Sequence, residues 1–262
     1  MSHQRFRALA RRYAHLRRGE RLAAAVGKLA LPAAAPLIQV RRAPSLRELV
    51  VAFPTFTDPS KFVEHVTGAS ARASDEEFQD VVERVRARYN ITNLQFPVGW
   101  AVGGGSGRAL FDLVRVLKPS VVVETGVANG HSSSVILSAL QANDQGTLYS
   151  FDIRRDAGAL VPEELRERWV LRILTSRDPL GEVSRCVGDL PPLDMFFHDA
   201  DHSYVGQITE FRLAWSRLRP GGLLLSDDVD ESYAFLRHAA GAERGALLLD
   251  GTKVFGGVPK RL

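Results

Sequence analysis

Hydrophobic runs alternate with helix-like stretches over the second half of the chain. The apolar runs cover 121–124, 147–152, 169–174, 195–198 and 222–226. Strands that alternate with helices in this way predict a parallel sheet covered on both faces. Two further runs, 246–249 and 253–255, flank Asp250-Gly251 and predict a hairpin. We therefore expect an α/β fold with a doubly wound, mostly parallel seven-stranded sheet that ends in an antiparallel hairpin strand.

Shorter helical patterns precede this sheet. Ser45-Leu-Arg-Glu48 has the form of a capping box and predicts a short helix, and Ser74-Asp-Glu-Glu77 predicts the start of a longer one. The apolar positions of the longer helix recur at helical spacing, at Phe78, Val81, Val82, Val85 and Tyr89. The glycine-rich stretch 103–107 predicts a flexible loop before a helix at 109–117. We expect a helical extension and cover over residues 1–95 and the main domain over residues 96–262.

The composition is that of a folded globular protein. The chain has 262 residues, of which 45% are hydrophobic and 24% charged, enough apolar material for a full core. The single cysteine, Cys186, excludes an internal disulfide and a clustered thiolate zinc site, and it agrees with a cytoplasmic location. The apolar stretch 29–40 is shorter than the roughly 20 residues that span a bilayer and contains two prolines, so we expect no transmembrane segment.

Positive charge is concentrated at the N-terminus. Residues 1–50 hold eleven Lys or Arg against two Glu, whereas the rest of the chain is net acidic. Phe6, Leu9, Tyr13 and Leu16 share one face of a predicted helix with arginines around it. Such a helix suits an anionic lipid surface, nucleic acid or an acidic partner, and equally a contact with its own domain or with a second copy of the chain. We favour the last two, which leaves a homo-oligomer through the N-terminal helices open.

Polar residues follow the first two strands, where open parallel sheets bind ligands. Glu124 ends the first strand, and Gly126 and Gly130 form a turn that opens a helix at Ser132. The spacing of these glycines does not match the G-x-G-x-x-G pattern of dinucleotide sites, which disfavours a nicotinamide cofactor. Asp152 ends the second strand, where an acid accepts the two hydroxyls of a ribose. Together these residues indicate a nucleoside-bearing ligand.

A second cluster of polar residues follows two later strands. Asp199 and His202 come after 195–198, and Asp227-Asp228 comes after 222–226. If these strands are neighbours, the three carboxylates meet in a small volume, where they need a counter-cation to stay ionised. Oxygen-only ligands suit magnesium or another hard divalent ion better than zinc. Each residue also has a structural interpretation, since aspartate is a common cap and turn residue.

The first cluster resembles the cofactor site of class I S-adenosylmethionine-dependent methyltransferases, which have a Rossmann-like fold. The resemblance covers about residues 96–262 and rests on Glu124-x-Gly126 with Asp152. It implies that Gly126 and Ser132 face the methionine end of the cofactor and that Asp152 binds the ribose. It also implies that Ser176 and Arg177, after the third strand, lie near the adenine.

The second cluster resembles metal-dependent O-methyltransferases. In that group an acid follows the fourth strand and an acidic or amide pair follows the fifth, which implies Asp199, Asp227 and Asp228 as metal ligands. Catechol-type members have a lysine where this chain has His202, and an Asp-Asn pair where it has Asp227-Asp228. The chain is more similar to bacterial O-methyltransferases that act on sugar hydroxyls of antibiotics and related metabolites, in which a histidine serves as the base. The resemblance thus implies His202 as the catalytic base.

We expect an enzyme that uses S-adenosylmethionine and a divalent metal, magnesium above all, to methylate a hydroxyl of a small molecule such as a sugar or another secondary metabolite. A catechol-type enzyme is one alternative, and a noncatalytic cofactor-binding scaffold is another. A nucleic-acid methyltransferase that uses the basic tail is a third. It is disfavoured because the main domain is net acidic and no Asn or Asp precedes Pro-Pro-Tyr, so we expect no nucleic-acid partner.

Overall fold

An eight-stranded sheet forms the centre of the molecule. The computed structural model describes residues 43–69 and 75–261 of the chain. The strands are β1 (Thr55–Phe56), β2 (Val121–Thr125), β3 (Thr147–Asp152), β4 (Trp169–Ile173), β5 (Leu193–His198), β6 (Leu218–Ser226), β7 (Ala246–Asp250) and β8 (Lys253–Pro259). Their order in the sheet is β1-β7-β8-β6-β5-β2-β3-β4.

The sheet topology agrees with the α/β fold that the sequence predicts. All neighbouring pairs are parallel except the two that involve β8, which runs antiparallel to both β6 and β7. The doubly wound, mostly parallel sheet with a C-terminal antiparallel hairpin is therefore confirmed. The structure adds an eighth strand of two residues, β1, which pairs with β7 and is too short to give an alternating pattern in the sequence.

Within the described residues, eight α-helices cover the two faces of the sheet. They are α1 (Leu46–Ala52), α2 (Pro59–Thr67), α3 (Asp75–Ile91), α4 (Gly104–Leu117), α5 (His131–Ala142), α6 (Pro179–Gly188), α7 (Tyr204–Arg217) and α8 (Ala234–Ala239). One core cluster lies between the sheet and helices α2 to α5, and the other lies against α1 and α6 to α8. Side chains of a strand alternate between the two clusters, as Val122 and Val123 do in β2.

Helices from the first third of the chain join the main core. The capping box at Ser45 and Glu48 forms as predicted and begins α1. In α3 the apolar stripe is buried at Phe78, Val81 and Val85. Ser74, the expected cap of α3, and the basic segment 1–42 lie outside the described residues. No helix within residues 43–69 and 75–261 is long and apolar enough to cross a membrane.

The prediction of a flexible loop at 103–107 was wrong. Helix α4 begins at Gly104, so most of this stretch is the first turn of a helix. Asp250, at the end of β7, accepts a hydrogen bond from the backbone N–H of Ser106 at 2.7 Å and so caps that turn from a distant part of the chain. A Cβ at Gly103 would lie 2.1 Å from the Asp250 carboxylate, which explains the small residue there.

Candidate active site

A cavity of about 980 Å³ opens at the carboxyl ends of β2, β3, β5 and β6. This is the edge at which open α/β sheets bind ligands. Its walls include the turn after β2, Asp152, and the segment that follows β5. The predicted cofactor turn and part of the predicted acidic cluster therefore share one cavity.

The turn after β2 packs against the end of β5. Gly126 has a φ of +81°, a conformation that favours glycine, and its backbone N–H donates to the carbonyl of Phe151 at 2.9 Å. A Cβ at this position would lie 2.0 Å from the backbone carbonyl oxygen of Asp199. Glycine is thus required both for the turn and for its contact with the acidic segment.

Asp152 holds the turn from the neighbouring strand. One carboxylate oxygen accepts hydrogen bonds from the backbone N–H groups of Val127 and Ala128 at 2.9 and 3.0 Å. The other accepts from the N–H of Arg154 at 2.8 Å. Asp152 also lines the cavity, where the sequence places the ribose hydroxyls.

Glu124 lies beneath this turn and does not line the cavity. Its carboxylate is fully buried and accepts hydrogen bonds from three hydroxyls, those of Ser132, Ser133 and Ser150, at 2.7, 2.6 and 2.7 Å. Burial raises the pKa of this carboxyl, and the three hydroxyls oppose the rise. Ser132 lines the cavity but directs its hydroxyl at Glu124. In this structure Glu124 fixes the turn from below.

The two residues expected near an adenine lie beside the cavity. Neither Ser176 nor Arg177 lines it, and the N–H of Ser176 donates to Glu182 at 2.8 Å. The wall in this region is apolar instead. It consists of Leu174, Pro179, Leu180 and Val183. Sequence reasoning missed these residues because an apolar wall has no motif of its own.

His202 lies between two of the predicted metal ligands. Its Nε2 is 3.6 Å from a carboxylate oxygen of Asp199, and its Nδ1 is 3.7 Å from one of Asp228. Adjacent parallel strands β5 and β6 bring the two acids together, and Asp228 has a left-handed φ of +46°. All three side chains line the cavity. The structure therefore brings the predicted base and these two acids together at one edge of the sheet.

The third acid, Asp227, is fully buried and paired with a lysine. The Lys253 ammonium is 2.7 Å from one oxygen of Asp227 and 3.7 Å from one of Asp228. Lys253 begins β8 and follows the Asp250-Gly251 turn of the hairpin. No pattern in the sequence indicates a role for this residue, because only the antiparallel insertion of β8 beside β6 brings it to the acids.

Burial and charge oppose each other in this cluster. Burial and the nearby charge of Asp227 raise the pKa of Asp199 well above its usual range. Burial alone would lower the pKa of His202, but the carboxylates of Asp199 and Asp228 outweigh it and raise that pKa. Lys253 behaves in the same way, since Asp227 and Asp228 raise its pKa against the effect of burial. The cluster thus favours bound positive charge.

The donor chemistry of the three acids fits a hard divalent cation. Within the described part of the chain, the Oδ1 atoms of Asp227 and Asp228 are buried and have no hydrogen-bond partner. In the arrangement seen, however, no three His, Cys, Asp or Glu side chains among residues 43–69 and 75–261 are close enough together to hold a metal ion. The ammonium of Lys253 lies against Asp227 and Asp228 instead.

Comparison with known proteins identifies the central part of the chain. A family model described as a methyltransferase domain matches residues 123–229, a range that begins within β2 and ends just after the acid pair that follows β6. Residues 123–229 are thus those of a methyltransferase domain. A comparison with curated proteins found no significant match.

Solved structures resemble the fold around this methyltransferase domain. The O-methyltransferase TomG from Streptomyces achromogenes, which is involved in tomaymycin synthesis and was solved with S-adenosylmethionine, is 19% identical with a TM-score of 0.51. The similarity covers 72% of this chain and 91% of TomG. An O-methyltransferase from Bacillus cereus in complex with S-adenosylhomocysteine is 18% identical with a TM-score of 0.50, over 77% of this chain and 96% of that one. At these identities the likeness shows the fold alone.

A buried hydrogen-bonded group supports the methyltransferase domain beneath the acidic cluster. His198 is fully buried, as expected for a side chain that points opposite to Asp199 in β5. Its Nδ1 lies 2.7 Å from Glu210, which also accepts from the hydroxyl of Thr125 at 2.5 Å. The rings of His198 and His202 are 5.8 Å apart. His198 thus packs under His202 and does not line the cavity.

Residues that precede the methyltransferase domain cover the cavity. Phe96 and Trp100 line it with their rings 6.0 Å apart, and the Trp100 side chain is 60% exposed. Tyr89 at the end of the apolar stripe of α3 shares a 3.0 Å hydrogen bond with Nδ1 of His131, at the start of α5. Tyr89 lies within the predicted cover of residues 1–95, whereas Phe96 and Trp100 belong to the predicted main domain, and the division of the chain at residue 95 stays a prediction.

Proposed function

We propose that this methyltransferase transfers a methyl group from S-adenosylmethionine to a hydroxyl of a small molecule, such as a sugar or another secondary metabolite, with a divalent metal ion, magnesium, at the acidic cluster. The observation that carries the proposal is His202 between Asp199 and Asp228, in the same cavity as the Gly126 turn and Asp152. An imidazole beside carboxylates suits the removal of a proton from an acceptor hydroxyl.

The cofactor would bind along the turn after β2. Asp152 already orders this turn, and it lies where the two hydroxyls of a ribose need an acceptor. The wall formed by Leu174, Pro179, Leu180 and Val183 suits the flat apolar faces of an adenine. S-adenosylmethionine supplies an activated methyl group, so the residues around it need only align that group with the acceptor oxygen.

His202 would act on the acceptor side of the cavity. It takes the proton that the acceptor hydroxyl loses when the new C–O bond forms and the C–S bond of the donor breaks. A divalent ion held by Asp199, Asp227 and Asp228 would lower the pKa of the acceptor hydroxyl when it is bound. The carboxylates of Asp199 and Asp228 also orient the imidazole.

A catechol-type acceptor is a second candidate. The rings of Phe96 and Trp100 line the cavity, with the Arg154 guanidinium 5.1 Å from the centre of the Phe96 ring, and such rings stack well on a planar aromatic acceptor. An aromatic acceptor that carries a sugar would use both the aromatic wall and the acidic cluster. The two classes differ in the hydroxyl that becomes methylated.

Transfer of a labelled methyl group onto panels of sugar and catechol acceptors tests this function. We expect a labelled ether product from at least one hydroxyl acceptor and a loss of rate when a chelator removes divalent ions. Replacing His202 with Ala should lower turnover by about 100-fold to 10,000-fold while S-adenosylhomocysteine still binds. Labelling of neither panel, or an undiminished rate in His202→Ala, would contradict the proposal.

A further inference from the structure

The ammonium of Lys253 is the feature of the acidic cluster that the proposed chemistry does not use. It lies 2.7 Å from a carboxylate oxygen of Asp227 and 3.7 Å from one of Asp228. Its side chain is 17% exposed, and the Asp227 side chain is not exposed at all. A buried carboxylate needs such a partner because an unpaired charge is costly away from water.

The position of this ammonium conflicts with a metal ion on the same acids. A divalent ion held by Asp227 and Asp228 would lie within a few ångströms of the lysine charge, and like charges at that distance repel strongly where water is scarce. One oxygen of Asp227 is also already engaged by Lys253. The oxygens without a hydrogen-bond partner, Oδ1 of Asp227 and Oδ1 of Asp228, are the ones left for another cation.

We propose that Lys253 is a built-in competitor for the cation position, so that a divalent ion binds the acidic cluster only when the Lys253 ammonium moves away from Asp227 and Asp228. This inference rests on the metal site of the proposed function. It accounts for two observations together: three acids converge at one edge, yet they do not form a metal-holding group as they stand. Lys253 lines the open cavity and has a flexible four-carbon side chain, so it has space to move into.

The competition matters for the enzyme because it keeps Asp227 and Asp228 partly neutralised before a metal ion arrives. The Lys253 ammonium stabilises the acidic cluster when no metal ion is bound, and the need to displace this ammonium weakens metal binding. The affinity for divalent ions is then set by the lysine as much as by the carboxylates. Removing the lysine charge should therefore tighten metal binding, although it removes a partner of Asp227.

Direct binding of Mn²⁺ to the full chain tests the proposal without any need for activity. Free Mn²⁺ is measured by electron paramagnetic resonance at one neutral pH, without cofactor or acceptor, for the wild type, Lys253→Met, Lys253→Gln and Lys253→Arg. Lys61→Met, on the exposed side of α2, is the matched control. We expect Lys253→Met and Lys253→Gln to bind Mn²⁺ about tenfold more tightly than the wild type, and the other two variants to bind like the wild type. Circular dichroism identifies which variants fold, and one folded variant of the two uncharged ones, Lys253→Met or Lys253→Gln, is enough for the test.

Several outcomes would overturn the competition. Equal or weaker Mn²⁺ binding by a folded, uncharged variant would show that Lys253 does not compete with the metal ion. If no variant bound Mn²⁺, the acidic cluster would not be a metal site. Tighter binding by the uncharged variants supports the competition even if no hydroxyl acceptor is ever methylated. A failure of the proposed function is thus distinguishable from a failure of this inference.

Discussion

At the scale of single residues, His202 is the side chain whose environment bears most on the chemistry. Its two nitrogens face carboxylates of Asp199 and Asp228, which raise its pKa against the effect of burial. An imidazole must be neutral to accept a proton. Because these carboxylates favour the protonated imidazole, His202 can act as a base only when their negative charge is partly neutralised. The acids that orient the base therefore also control its protonation.

The protonation of His202 can be measured directly. In the metal-free protein we expect the pKa of His202, followed by NMR of its ring carbons, to lie above about 6.5. Asp199→Asn removes a charge that favours the imidazolium, so it should lower this pKa. His65, whose pKa burial lowers, serves as an internal reference in the same spectra. A pKa of His202 that rises or stays constant in Asp199→Asn would contradict this account of the site.

Gly126 is the residue on which the contact between the turn and β5 depends. Its positive φ and the 2.0 Å approach of a Cβ to the Asp199 carbonyl predict that Gly126→Ala displaces the end of β5 or the turn. We expect a loss of about 2 kcal/mol or more in the free energy of unfolding, together with weaker binding of S-adenosylhomocysteine. Gly188→Ala, at the end of α6 with open space around it, is the control and should change neither quantity appreciably. Urea unfolding and calorimetry measure the two effects, and equal behaviour of the two variants would refute the argument.

At the scale of elements, the β7–β8 hairpin connects the cover to the acidic cluster. Asp250 caps α4, which follows the cavity-lining segment around Trp100. Lys253, three residues after Asp250 in the same hairpin, pairs with Asp227. The hairpin was predicted from its sequence, but the partners of its side chains were not. Those partners lie more than 20 residues away along the chain, at separations where local patterns carry no information.

A substitution at Asp250 can remove the cap of α4 while strand β7 itself stays in place. Asp250→Ala should lower the free energy of unfolding by about 0.5 to 2 kcal/mol, because the first turn of α4 loses its acceptor. Asp58→Ala removes an ordinary cap, that of α2, and is the comparison. We expect urea denaturation to give similar losses, and S-adenosylhomocysteine binding to weaken only in Asp250→Ala, since α4 adjoins the cover of the cavity. If both variants bound S-adenosylhomocysteine equally well, the cap of α4 would have no influence on the cavity, which would contradict this account.

At the scale of the whole molecule, the sequence predicts the architecture better than it predicts the site. Strands such as β2 and β5 are buried on both faces and therefore stand out as continuous apolar runs. Residues that follow these strands, Asp199 and Asp228 among them, were found because topology brings strand ends to one edge. Glu124 behaves differently: its motif suggested a ligand contact, whereas three serine hydroxyls surround it beneath the turn.

Tertiary contacts explain what the sequence did not predict. The glycine-rich stretch 103–107 forms a helical turn because a distant carboxylate caps it, and Lys253 reaches the acids because β8 inserts beside β6. The roles of Ser176 and Arg177 near an adenine stay predictions, since the wall seen there is formed by neighbouring apolar residues. In each case packing between remote segments decides the outcome.

The most direct measurement of the central claim is the rate of methyl transfer to a hydroxyl acceptor by Asp199→Asn, alongside binding of S-adenosylhomocysteine by the same variant. Asp189→Asn, exposed at the end of α6, is the control. The account predicts that Asp199→Asn binds S-adenosylhomocysteine like the wild type but transfers methyl groups about 100-fold more slowly or worse, with Asp189→Asn unchanged. Transfer by Asp199→Asn at the wild-type rate would contradict it.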